Sequence, residues 1–204
     1  MPEDRVPNEA LAQAGLQLMK QAGNPLERIK SNGRAMIYQM PDGATVRLRT
    51  CNDHLLVVLA DTDDPDTARL NVEGTEYVLI VMPERQRTPG PVVGYLIPAK
   101  VVADAARSSH RAWLATNPNT KGDNRTWNLR FDTYGLSKTN NFAEKWRQYR
   151  LRGTASAGLA TAGPSYSSPA AQPMKLGDVI ASAKLQIAEA AGVSAECVKI
   201  TIDI

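Results

Sequence analysis

An α/β (α+β) fold, with a small mixed central sheet flanked by helices, is predicted by three features of the sequence. Short runs of β-branched and aromatic residues recur between residues 35 and 98, two longer stretches carry apolar residues at helical spacing, and clusters of Pro, Gly, Asp and Asn separate them. With 204 residues, 43% of them hydrophobic and 22% charged, the chain can bury one good core, and two full-sized domains would be crowded.

Taken in order, Leu11, Ala14, Leu18, Met19 and Ala22 recur at helical spacing between Pro7-Asn8 and Gly23, predicting an amphipathic helix over 8–22. Residues 35–40 and 44–50 are β-rich and are joined by Pro41-Asp42-Gly43, a turn chemistry that makes them a hairpin. Three further runs, 54–60 (HLLVVLA), 75–82 (TEYVLIVM) and 92–98 (VVGYLIP), are almost continuously hydrophobic and predict central strands covered on both faces. Residues 61–66 and 84–91 read as exposed loops between them. Pro98 opens a helix that runs to about 115, with Val101, Val102, Ala105, Ala112 and Trp113 on one side. Residues 117–124 are turn-rich, 126–131 predict a sixth strand, and 139–151 predict another helix.

Residues 153–173 are almost entirely Gly, Ala, Ser, Thr and Pro without a charge, which marks a flexible linker after a first domain at 1–152. Beyond it, Leu176, Val179, Ile180, Ala183 and Ile187 repeat at helical spacing, and Val198, Ile200, Ile202 and Ile204 alternate with polar residues. Thirty-odd residues bury too little surface to stand alone. The unit at 174–204 is therefore expected to dock on the main domain, on a second copy in a homo-oligomer, or on a protein partner.

Several functional classes have no support in the residues. Cys51 and Cys197 are far apart and lack any CxxC or Cys/His spacing, so neither a disulfide framework nor a structural zinc site is indicated, and a reducing compartment is expected. Residues 1–20 lack the basic-then-apolar pattern of a leader, and 18 consecutive apolar residues occur nowhere, so a cytoplasmic location without membrane contact is expected. His54 and His110 have no ligand-like partner at a useful interval, and a structural or solvated role is their ordinary fate. The acidic loop 61–66 lacks the glycine and glutamate of a calcium-binding loop. No Gly-rich phosphate loop, nucleophile elbow or paired-histidine zinc motif is present, and no cofactor is expected.

Charge is distributed unevenly. Residues 61–74 carry five acids against one base, whereas residues 98–152 carry eleven bases against four acids and hold seven of the eleven aromatic residues. Cations interleaved with aromatics are what a nucleic-acid surface needs, because Lys and Arg replace phosphate counterions while rings stack on unpaired bases. Lys100, Arg107 and Arg111 fall on one stripe of the helix that begins at Pro98, with Asp104 among them. Lys121, Arg125, Trp127 and Arg130 lie on the connecting segment. On the predicted helix 139–151 and its approach, Lys138, Lys145 and Arg152 are spaced by seven beside a Phe142, Trp146 and Tyr149 stripe, with Arg147 and Arg150 nearby. Each pattern has an ordinary alternative: cationic helix faces are usually just solvated, and aromatic stripes are more often core than stacking platforms.

The order helix, hairpin, hydrophobic strands ending in EYVLIVMPE and VVGYLIPAKVV resembles the core of the PD-(D/E)XK, or restriction-endonuclease-like, superfamily over residues 8–116. The matching pieces are Tyr95-Leu96-Ile97-Pro98 entering its helix and the strand Thr45-Val46-Arg47-Leu48-Arg49-Thr50. The resemblance implies an endonuclease-like sheet, and the departures imply that it does not cleave. Arg47 stands where the family has its metal-binding acid or glutamine, and Arg49 where it has its catalytic lysine. Arginine presents only donors and cannot ligate Mg²⁺. Pro41-Asp42 matches the family's first motif in letters, but beside Gly43 it belongs to a turn.

The expected function is therefore non-catalytic nucleic-acid binding, DNA in preference to RNA, through Arg47, Arg49, Lys100, Arg107, Arg111, Lys121, Arg125, Trp127, Arg130, Lys138, Lys145, Arg147, Arg150 and Arg152. This requires the cations between 98 and 152 to form one outward-facing surface, and the 61–66 loop folded over them would defeat it. The alternative is a protein-interaction adaptor that docks through 174–204, its final strand adding to a partner's sheet. A weaker alternative is a Mg²⁺-dependent nuclease with a rearranged site drawn from Asp61, Asp63, Asp64 or Glu73.

Overall fold

The computed structural model describes residues 5–29, 35–119, 123–131 and 141–158, all within the first of two units of the chain, Met1–Thr161. The predicted unit at 174–204 and most of the predicted linker lie outside the described residues.

Helix α1 spans Asn8–Gln21 and buries Leu11, Ala14, Leu18 and Met19, the stripe that the sequence marks out. Strands β1 (Glu27–Arg28), β2 (Met36–Gln39) and β3 (Thr45–Thr50) follow, with β2 and β3 forming the expected antiparallel hairpin. Its turn depends on Gly43, which sits at φ +92°, a conformation that a Cβ disfavours. After β4 (Leu55–Leu59) come β5 (Tyr77–Pro83) and β6 (Gly90–Pro98), which lead directly into α2 (Ala99–Thr116). The chain continues through β7 (Thr126–Arg130), the short helix α3 (Phe142–Lys145), a 3-10 turn at Arg147–Tyr149, and β8 (Ser156–Ala157).

Six strands form one mixed sheet in the order β1-β2-β3-β5-β6-β8, antiparallel throughout except for the parallel pair β3 and β5. Strand β5 is central and buried on both faces, as its unbroken hydrophobicity predicts. Its Leu79 and Val81 join Val46 and Leu48 beneath α1, while its Val78, Ile80 and Met82 join Tyr95 and Ile97 in the opposite core. The helix and sheet approach closely at Gly15, where any Cβ would overlap the Val81 side chain. The second core is covered by Val102, Ala103 and Ala106 of α2 and by Leu56, Val58, Trp127 and Leu129 of a separate two-stranded ribbon, β4 with β7.

That ribbon corrects the expectation that 54–60 is a central strand of the main sheet. Strand β4 leaves the sheet plane and pairs with β7, so Leu56 and Val58 are buried while Leu59 is 48% exposed. An all-apolar run fits a strand covered on both faces and one covered on a single face equally well, and only the partner strand decides.

Two other expectations change. The predicted helix 139–151 ends within its first turn. Asn141 Oδ1 accepts from the Ala143 N–H, α3 lasts four residues, and by Arg150 the chain is extended and bridged to Tyr95, with Leu151 N donating to Gly94 O at 2.9 Å. Burying Phe142 and Trp146 in one core and then pairing the backbone with β6 cannot be done by one straight helix. The main unit also extends past 152. Gln21 holds Thr154 through two hydrogen bonds of 2.9 and 3.0 Å, Ala155 and Ala157 are buried beneath α1, and β8 pairs with β6, so residues 153–158 pack as part of the first unit rather than as a linker.

Candidate nucleic-acid interface

Each cation of the α2 stripe meets a carboxylate, Arg107 and Arg111 from an acidic loop and Lys100 from its own helix. Residues 61–74 fold back against the helix, anchored by buried Ala68, Leu70 and Val72 and by a bridge between Ala60 and Leu70. Arg107 donates to Glu73 Oε1 at 2.7 Å and to Ala68 O at 2.9 Å. Arg111 pairs with Asp66, and Lys100 with Asp104 one turn on at 2.7 Å. His110 is 5% exposed, meets Asp63 Oδ1 through Nε2 at 2.7 Å, and stacks on Trp127 and Trp113 with ring centroids 4.4 and 5.6 Å away. The expected free cationic stripe is thus a structural lock.

The loop's acids are occupied by the same work. Burial pushes the Glu73 carboxyl up, but the Leu70 N–H and the Arg107 guanidinium outweigh it and hold the group below its ordinary value. The Asp66 N–H and the Thr67 hydroxyl hold Asp64 below the usual carboxylate range. Asp61 accepts from the Arg69 N–H at 2.8 Å. Among the described residues, no three His, Cys, Asp or Glu side chains gather to hold a metal ion.

The aromatic half of the expected surface is also corrected. Trp127 is 2% exposed, with its indole N–H donating to Asn124 O at 2.9 Å, and Phe142 and Trp146 are buried beside Phe131 and Tyr95. These rings form the second core, so no base can stack on them. Trp113, at 39% exposure, retains an open edge.

The remaining predicted cations divide three ways. Arg125 pairs with Asp123, Arg147 lies 4.0 Å from Glu144, and the Lys145 ammonium sits 4.9 Å above the Phe142 ring. Arg130, Arg150 and Arg152 are exposed and make no ion pair among the described residues. Because α3 is short, Lys145 and Arg152 do not share a helix face. Lys121 and Lys138 lie outside the described residues.

Strand β3 differs from all of these. Val46 and Leu48 point into the core beneath α1, so the strand alternation places Arg47 and Arg49 together on the opposite face, as the sequence predicts. Both are half-buried, and no carboxylate among the described residues reaches either guanidinium. Arg47 is flanked in register by Ile37 and Val78, which offer no polar side chain, and its Nε is buried without a hydrogen-bond partner among the described residues. Arg49 sends one Nη to the Val57 carbonyl at 2.8 Å, capping the free edge of β4, and among the described residues its other donors have no partner. Burial and then the neighbouring Arg49 charge lower the Arg47 pKa from its ordinary value, a cost that an anion would relieve.

Sequence reasoning offers Glu73 only as a candidate nuclease acid and the loop folding over the cations only as an outcome to be excluded; it does not find that Glu73 and Asp66 pair with Arg107 and Arg111 of α2. The two segments were each legible as charged, but their partnership spans 34 to 47 residues of sequence and has no local signature. No known protein-family model, curated protein or solved structure matches this chain.

Proposed function

We propose that this protein binds nucleic acid without cleaving it, and that the phosphate contact centres on Arg47 and Arg49 of β3 rather than on α2. One observation carries the reading. Two half-buried guanidiniums share a strand face with no acid among the described residues to balance them, whereas the cations of α2 are each paired with a carboxylate. Guanidinium forks match phosphate oxygens, and a polyanion supplies the missing counter-charge.

The resemblance to a restriction-endonuclease-like core is part of the same reading. An acid and a lysine two residues apart on one strand would hold a metal over the scissile phosphate. Arg47 and Arg49 at those positions keep the attraction for phosphate and forfeit the metal. DNA is the preferred ligand on this analogy.

The test is a binding titration of single- and double-stranded oligonucleotides across salt concentrations, with and without Mg²⁺. Affinity should fall steeply with salt, and Arg47→Gln with Arg49→Gln should reduce the log–log slope by about one unit for every phosphate that is no longer neutralised. A flat salt dependence, or a slope unchanged in the double variant, contradicts the proposal. Mg²⁺-dependent cleavage would contradict its non-catalytic half.

A further inference from the structure

Arg47 and Arg49 do more than decorate a flat strand. With Ala35, Met36, Leu48 and Thr50 they line a recess of about 210 Å³. That is below the roughly 300–1,000 Å³ of sites that engulf whole small-molecule ligands, so the recess suits one compact anionic group rather than a complete nucleotide. Thr50 is already engaged, its hydroxyl donating to Asn8 Oδ1 at 3.0 Å, which leaves the two guanidiniums as the polar side chains of the recess among the described residues.

We infer that this recess takes the terminal phosphomonoester of a nucleic-acid strand, an inference that rests on the nucleic-acid reading above and specifies its ligand. Charge is the first argument. A terminal phosphate carries about −1.5 to −2 at neutral pH, which balances two guanidiniums. A phosphate inside a strand carries a single charge and leaves one of them uncompensated. Geometry is the second. Residues two apart on a strand have Cα atoms about 7 Å apart, a spacing that two long side chains span when they converge on one phosphate group. Topology is the third: a terminal group enters a half-buried recess with a single chain leaving it, while an internal phosphate must bring two chains out of the same opening.

The experiment compares three internally labelled oligonucleotides of one sequence, carrying a 5′-phosphate, a 3′-phosphate, or hydroxyls at both ends. The full chain, its Arg47→Gln and Arg47→Lys variants, and inorganic phosphate alone by calorimetry complete the set. At least one phosphorylated probe should bind about tenfold tighter or more than the hydroxyl probe, since it adds a charge-assisted hydrogen bond that the hydroxyl probe lacks. Arg47→Gln should erase that advantage and Arg47→Lys should retain part of it. Thermal melts establish that both variants fold; Arg47→Gln removes a half-buried, unpaired charge and should melt at or above the parent temperature.

Equal binding of all three probes, with weaker binding in Arg47→Gln, would overturn the end-binding inference while leaving nucleic-acid binding intact. Absence of binding by any probe at low salt would overturn the nucleic-acid reading itself. Tight binding of inorganic phosphate without binding of any probe would make the recess a free-anion site and overturn both.

Discussion

Helix α2 and strand β3 each carry arginines that the sequence offers as phosphate contacts, and the fold treats them oppositely. On α2, Arg107 and Arg111 meet Glu73 and Asp66 from a loop anchored in the core, and His110 meets Asp63 between two tryptophans. On β3, Arg47 and Arg49 meet apolar neighbours, one backbone carbonyl and a small recess. The three cations of α2, each met by a carboxylate, are therefore weaker evidence of a binding surface than the two on β3. Whether a cation is available depends on what the rest of the chain has placed against it.

The comparison can be broken or sharpened in graded steps. The largest effect should come from Trp127→Ala. This ring is core in the structure, so truncation should cost about 3–5 kcal/mol in urea denaturation. A cost below about 1 kcal/mol, with nucleic-acid affinity abolished, would return Trp127 to the binding surface.

Next comes the lock itself. Arg107→Ala strands the Glu73 carboxylate and the Ala68 carbonyl. Because the Glu73 side chain is 39% exposed, solvent screening should limit the loss to about 1–2 kcal/mol, rather than the 3–5 kcal/mol of a fully buried pair. A variant as stable as the parent would mean that the loop and helix are not coupled.

A smaller effect should appear with pH. The Glu73 pKa is depressed in the folded state, so its contribution to stability is fully present above the ordinary glutamate value of about 4.3 and is lost as pH falls through the folded-state value. Melting temperature should drop below about pH 4, and Glu73→Gln should flatten that drop. An identical acid limb in the variant would show that Glu73 carries none of it.

Much of the fold is legible in the residues. The helical stripe of α1, the Pro41-Asp42-Gly43 hairpin and the doubly buried β5 are readable because each is set by local periodicity or turn chemistry. The sheet to which β4 belongs is not, because HLLVVLA carries no alternation to show which face is covered. The helix expected over 139–151 is cut short because Phe142 and Trp146 serve one core while Leu151 packs against the other. Of the site, the shared face of Arg47 and Arg49 follows from strand alternation alone. The neutralisation of α2 does not follow, because nothing in the sequence near Arg107 indicates Glu73.

The most direct test sets the two regions against each other under one condition. Oligonucleotide affinity at low salt is measured for Arg47→Gln with Arg49→Gln and for Arg107→Gln with Arg111→Gln, each variant shown to be folded. Equal charge is removed in both, so long-range attraction falls alike. The β3 pair should weaken binding about tenfold or more, and the α2 pair about threefold or less. A larger effect from the α2 pair would show that the loop releases those arginines to the ligand and would contradict the assignment of phosphate contact to β3.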